Sequence, residues 1–516
     1  MSYFNLALLL GIVPVLVVIY QICPKKIRPV LLLLVSYGLF FYVSKWLLGF
    51  IILSSVSIYL YGLLVLRNNK KVEENKELKD KYKKINKVFF IIVLLINIAL
   101  LFYFKYLKFF TINTNYLLNL LSINHKFSIK KIIAPIGISF YTLQAISYMI
   151  DINNKKVEPT KNILKVLLYL GFFPTVMEGP ITRFNDVSDD LIKGERVHYK
   201  NFCFGYQRIL WGLFKKLVIA DRLNIMVEYI FNNYSSLGSL TIFMGAIGYT
   251  ILLYSEFSGT MDVVIGIGEI FNVTLPENFK QPFFSKNISD FWTRWHISLG
   301  TWFKDYIFYP VSLSKPMKKL NSSIRKKLKN RTGPLLTGGI ALFCVWSLNG
   351  LWHGAGWTFI FFGMYHFVLI LLGNIFEPWI VKLCSLLKIK RDGKIYTVFR
   401  VVKTWVFIFI GEMFFKAPTL TVGFGMLKGI LSFRGSSTTL LQLGLDGKDY
   451  IILVISIIAL FVIGALREKK INIREELSNK NIFIRWAVYY LLIFAIFIFG
   501  AYGAGYVPVD PIYADF

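Results

Sequence analysis

Acidic and thiol side chains are scarce in this sequence. Its 516 residues include 29 Asp and Glu against 59 Lys and Arg, with 4 Cys and 5 His. Cys23, Cys203, Cys344 and Cys384 are scattered and form no C-x-x-C pair. That spacing signals neither a disulfide framework nor a zinc site, and it leaves them as small buried hydrophobes. There is no G-x-S-x-G elbow, Walker loop, H-E-x-x-H pair or dinucleotide fingerprint, so the chemistries those motifs serve have no support. No internal repeat, Pro- or Ser-rich linker or strongly polar segment marks off a soluble domain.

What the chain does have is apolar length. It is 55% hydrophobic and 17% aromatic, with a mean hydropathy of +0.56. A soluble core cannot absorb that much apolar surface, whereas runs of about 20 apolar residues cross a bilayer. The pattern predicts an all-α, polytopic integral membrane protein of roughly 11–13 transmembrane or re-entrant helices. Spans are expected near 4–22, 29–46, 47–66, 88–107, 132–150, 163–178, 203–220, 240–256, 336–351, 355–376, 399–415, 450–466 and 483–503. They are read as one membrane domain, 1–516, with peripheral N-terminal helices 1–110, a core at about 130–375 and peripheral C-terminal helices 395–516.

The net charge of +30 sits in short loops such as Arg67 to Lys87 and Lys315 to Arg331. The positive-inside rule accounts for basic loops between spans, so the charge is read as cytoplasmic and lipid-facing and not as a nucleic-acid surface. Near the N-terminus the positive charges (Lys25, Lys26, Arg28) follow the first apolar run. This predicts an uncleaved first span with its N-terminus outside and its first loop inside.

The histidines divide by context. His125 and His198 lie in polar loops and read as surface residues. His366 lies within an apolar run, where a titratable group is a functional candidate by default. His353 lies in "NGLWHGAGWTF", between Trp352 and Trp357 and among Gly350, Gly354 and Gly356. Those glycines remove bulk and permit unusual backbone angles. The segment is either a helix break facing a wet cavity or a tight interhelical turn. In the first case an imidazole suits proton transfer at neutral pH.

The stretch "LPENFKQPFFSKNISDFWTRWHISLGTWFKDYIFYP" has no clean span. Asn287 is placed to cap a helix, and Asp290 and Arg294 stand i, i+4 in the favourable order. An amphipathic helix is expected, with Trp292, Trp295 and His296 on one side, continued by Leu299 and Trp302.

Taken in order, several blocks resemble the membrane-bound O-acyltransferase family, and within it the bacterial branch typified by alginate O-acetylation. They are "APIGISFYTLQAISYMID", "FFPTVMEGPITRFNDV", "GLFKKLVIADRL", "EFSGTMDVVIGIGEIFNVTLPENFKQPF", "FWTRWHISLGTWFKDYIFYP" and "NGLWHGAGWTF". Two departures from the branch pattern are Glu178 before Gly-Pro and the final residues of the tail "FGAYGAGYVPVDPIYADF". By resemblance His353 matches the catalytic histidine of the Trp-His-Gly motif and His296 the second histidine.

The resemblance implies a helical fold around a central tunnel, with a cytoplasmic acyl thioester entering from one side. The donor is acetyl-CoA or an acyl-carrier protein, used as a substrate; no bound cofactor or metal is implied. The acceptor hydroxyl belongs to an exported or cell-wall polysaccharide, reached directly or through an extracytoplasmic hydrolase-like or acetyltransferase-like partner. His353 is assigned as general base, and His296 as the group that orients the donor or hydrogen-bonds the developing oxyanion. Trp295, Trp302, Asp305, Asn349 and Trp352 are the tunnel candidates, with Lys304 at the mouth. The alternatives are D-alanyl transfer to teichoic acid and a transporter without covalent chemistry.

Overall fold

The structure, a computed structural model, describes residues 7–129, 132–327, 332–435 and 438–502. The end of the second basic loop (328–331) and the tail from 503 lie outside the described residues. Among those residues the fold is helical throughout. No strand occurs, and one isolated antiparallel bridge joins Phe279 to Trp295. Seven helical segments are long and apolar enough to cross a membrane. The chain is therefore an all-α, polytopic membrane protein. Expected spans at 132–150, 163–178, 203–220 and 399–415 are not among the seven. The run at 163–178 forms two short helices, Ile163–Gly171 and Phe173–Val176. Pro174 lacks the N–H a continuous helix needs, and Phe172 turns out of the helical region at φ −58, ψ 118.

The spans differ in how much protein surrounds them. The window in Ser239–Ile270 is 67% buried and that in Ile482–Phe499 is 6% buried. The first is a core helix, and the second presents its apolar sides to lipid.

By packing, the chain divides into two compact units. One is residues up to Ile209 with Val263–Pro276; the other is Leu210–Asp262 with the chain from Glu277. In the first unit the helix Ile138–Asn153 is buried along almost its whole length. Its N-cap Gly137 has φ +71, and a side chain there would strike the carbonyl of Val176, so only glycine fits. Gln144 donates to Thr182 Oγ1 at 2.7 Å, and the Tyr169 hydroxyl bonds the carbonyls of Gln144 and Thr182. Two of the family-like blocks thus meet in one buried polar joint.

The second unit carries both histidine blocks. Six helices matter there: α1 (Ser239–Ile270), whose part up to Asp262 belongs to it, α2 (Ile288–Arg294), α3 (Ile297–Phe303), α4 (Thr332–His353), α5 (Trp357–Leu386) and α6 (Lys394–Lys416). Two buried lysines preceding α1 are paired, while Glu256 on α1 is buried with neither carboxylate oxygen hydrogen-bonded among the described residues. Lys215 Nζ stands 2.6 Å from Asp262 Oδ2 and 2.7 Å from Ser258 Oγ, and Lys216 Nζ stands 2.7 Å from Asp221 Oδ1. The i, i+4 spacing of Ser258 and Asp262 puts both on the helix face that meets Lys215. Pairing offsets the cost of burying these lysines and aspartates.

Helices α4 and α5 form an antiparallel hairpin at close range. A side chain at Gly350 would come within 2.5 Å of the Phe359 carbonyl oxygen and 3.2 Å of Ile360 Cα. Small residues at such contacts let apolar helices approach backbone to backbone. Gly350→Ala therefore forces the hairpin apart and destabilises the folded protein by about 1–3 kcal/mol. A lowered unfolding midpoint in detergent, relative to a control Gly338→Ala where space is open, is the expected result.

Candidate functional site

His353 is the last residue of α4, and α5 begins at Trp357 after Gly354, Ala355 and Gly356. The break is thus the turn between two candidate spans, and it ends each of them. None of Gly350, Gly354 and Gly356 adopts a positive φ; among the described residues the glycines that do are Gly137, Gly194 and Gly444. The glycines here supply space and not unusual angles. The ring beside His353 also differs from expectation. Trp357 is exposed, and His353 is instead ringed by Trp352 at 5.1 Å, Phe415 of α6 at 5.2 Å and Phe362 of α5 at 5.9 Å.

The expected single helix around His296 is two helices. Asn287 caps α2 by accepting from the Asp290 N–H at 2.8 Å, and Arg294 Nε pairs with Asp290 Oδ1 at 2.9 Å, as its sequence predicts. The helix then stops. Trp295 is extended, and His296 takes a left-handed conformation at φ 47, ψ 52 before α3 begins. The backbone bonds of this corner go elsewhere: Lys280 N–H donates to Arg294 O, and Ile297 N–H to Asn278 O. A non-glycine residue held at positive φ is costly, and such strain concentrates at functional sites.

Asn278, fully buried, organises the corner. Its Oδ1 accepts from Ser298 N–H at 3.0 Å and Ser298 Oγ–H at 2.9 Å, and stands 3.3 Å from His296 Nδ1. Its Nδ2 donates to Met261 Sδ of α1 at 3.1 Å. No sequence motif marks Asn278. The available signal was the one asparagine between Pro276 and Pro282 in the block that leads into the histidine.

The two histidines meet. Their ring centroids are 6.4 Å apart, both are buried, and both line one cavity of about 350 Å³. The cavity runs from His296, His353 and Asn349 to exposed Thr293, Gly300, Thr301 and Lys304, so it opens to the outside of the fold. Trp295 and Asn349 are lining residues. Trp352 packs against His296 at 5.6 Å from behind. Trp302 is buried against Phe303 and Tyr306, and Asp305 is exposed; neither is a lining residue. His366 stands outside the cavity, fully buried, and accepts from Trp292 Nε1–H at 3.3 Å. His125 and His198 are exposed. No cluster of His, Cys, Asp and Glu suited to a metal occurs among the described residues.

A buried two-histidine cavity in a helical membrane protein can move a proton to or from a substrate hydroxyl. That is the chemistry of a membrane transferase acting on an alcohol. Comparison with known proteins agrees. Residues 155–325 match the membrane-bound O-acyltransferase family. The probable alginate O-acetylase AlgI of Pseudomonas syringae is 30% identical over 91% of this chain and 82% of its own length. The peptidoglycan O-acetyltransferase of Helicobacter pylori is 29% identical over 69% of this chain and 67% of its own. The teichoic acid D-alanyltransferase of Bacillus subtilis is 31% identical over 55% and 69%. The chain belongs to the membrane-bound O-acyltransferase family, and it is a multi-pass acyltransferase of the cell membrane.

His296 lies outside the seven candidate spans, and burial pushes its imidazole down from 6.5 to about 3. The unfolded chain takes up a proton below 6.5, and the folded site does not until about 3. Its contribution to stability is therefore complete above pH 6.5 and is lost as the pH falls toward 3. The slope is at most about 1.4 kcal/mol per pH unit. Thermal unfolding in detergent at pH 7, 6 and 5 should show a smaller acid-side loss in His296→Gln than in the unsubstituted protein.

Proposed function

We propose that this protein passes an acyl group, acetyl in preference to D-alanyl, from a cytoplasmic thioester to a hydroxyl of an exported or cell-wall polysaccharide. The transfer is direct or runs through an extracytoplasmic partner. The observation that carries this reading is the pair of buried histidines sharing one cavity. A thioester is already activated, so the protein has to position the alcohol and take its proton. In this reading His353 removes the hydroxyl proton, the oxygen attacks the thioester carbonyl, the C–S bond breaks, and the proton leaves with the thiol. His296 is the second group in contact with substrate. Trp295 and Asn349 line the approach, and the aromatic wall keeps water from the thioester.

Coverage favours acetyl transfer. The O-acetylase relative from Pseudomonas syringae aligns over 91% of this chain and the D-alanyltransferase relative over 55%. His353→Ala is expected to lower transfer by about 10²–10⁴-fold, the worth of a general base, with normal expression and membrane insertion. Mass spectrometry of the surface polymer, with and without the gene and with the variant, reads the result. Acetyl esters that vanish in both support the proposal. D-alanyl esters that vanish move it to the other donor, and full acylation in the variant removes His353 from its role. A polymer that changes location but not acylation would instead indicate transport.

A further inference from the structure

Two observations fix how His296 can hydrogen-bond. The Ser298 main-chain N–H can only donate, so the Asn278 atom 3.0 Å from it is the amide oxygen. That same oxygen faces His296 Nδ1, so Nδ1 must carry the hydrogen. The opposite orientation of the amide would set an NH₂ against a main-chain N–H and take its donor away from Met261 Sδ. With Nδ1 as the donor, the neutral ring keeps its lone pair on Nε2.

We infer that Asn278 is a positioning residue that holds His296 in its Nδ1–H form, so that His296 accepts its hydrogen bond from a substrate O–H or N–H. This rests on the acyltransfer reading and changes one part of it. An oxyanion has only lone pairs, so a bare Nε2 cannot stabilise it, and the oxyanion role expected for His296 is replaced by orientation of a substrate donor group. The arrangement parallels the use of a buried oxygen to set a catalytic histidine's tautomer and aim. Among the groups lining the cavity or in ring contact with His296, the other ionisable ones are His353 of α4 and Lys304 at the rim. From α1 it meets Phe257 at 4.8 Å, and Met261 meets Asn278.

The test compares Asn278→Asp with Asn278→Leu in the full-length protein in bilayers. Asp keeps the oxygen that takes the Nδ1–H, and its charge favours the imidazolium. Asn278→Asp should hold kcat within about tenfold at pH 8 while the acid limb of its pH profile moves up by a unit or more. Asn278→Leu should lose about 10–100-fold in kcat at every pH, with KM little changed. An acid limb for Asn278→Asp that superimposes on the parent's, or a full kcat for Asn278→Leu, overturns the inference. Solid-state NMR of ¹⁵N-histidine, with the signal assigned by its loss in His296→Gln, reads the tautomer without activity and without Asn278 variants. Hydrogen on Nδ1 supports the inference and hydrogen on Nε2 sinks it. A parent protein that transfers no acyl group fails the functional reading alone, and the NMR still decides the tautomer.

Discussion

Backbone that leaves the helix in apolar surroundings must find new partners for its N–H and C=O groups, because no water is there to take them. Each group left unsatisfied costs about 1–3 kcal/mol. At the corner from Trp295 to Ser298 that demand falls on one residue. Asn278 takes the Ile297 N–H on its carbonyl and the Ser298 N–H and hydroxyl on its side chain. The bridge between Phe279 and Trp295 takes more of the load. Only with these bonds in place can the chain hold His296 in a left-handed conformation between two helices and aim its ring at a cavity. The orientation of the histidine is thus a by-product of paying the backbone's hydrogen-bonding debt.

The two histidines of the cavity sit in different surroundings. His353 ends a helix, and aromatic rings of α4, α5 and α6 surround it. His296 is fixed through a hydrogen bond to one ring nitrogen, which sets its chemistry as well as its place. A ring with a set tautomer suits the proposed orientation of a substrate.

Much of this was legible in the sequence for physical reasons that can be named. Apolar length gave the helical membrane architecture, because spanning a bilayer demands it. The Asn287 cap and the Asp290–Arg294 pair were legible because both act within one turn. The order of the blocks pointed to His296 and His353. What stayed hidden acts across longer separations. Asn278 meets His296 through a bridge that no helical or strand period announces. Phe415, not Trp357, closes on His353 because α6 packs beside the hairpin. The break at Trp295 and His296 was read as helix, since local spacing carries no record of the bonds that Asn278 and Lys280 draw away. The glycines near His353 were read for both their lack of bulk and their angles, and at Gly350 the lack of bulk is what the close approach of the helices requires.

The aromatic wall and the choice of histidine answer the same problem. Trp292, Trp295 and Trp346 line the cavity and Trp352 packs against His296; in the proposed reaction these rings would limit water around a thioester and lower the local dielectric. A carboxylate base in that space would have to be desolvated with its charge, and it would either need a counter-ion or become protonated and cease to be a base. Of the unit's buried carboxylates, Asp221 and Asp262 stand against lysines, and Glu256 and Glu412, which have no such ion pair among the described residues, are the ones left to the second alternative. A neutral imidazole carries no charge to desolvate, so it keeps its lone pair in surroundings that would silence an acid. Burial that would disable a carboxylate keeps His296 neutral, which is the state in which the bond to Asn278 determines where its lone pair lies.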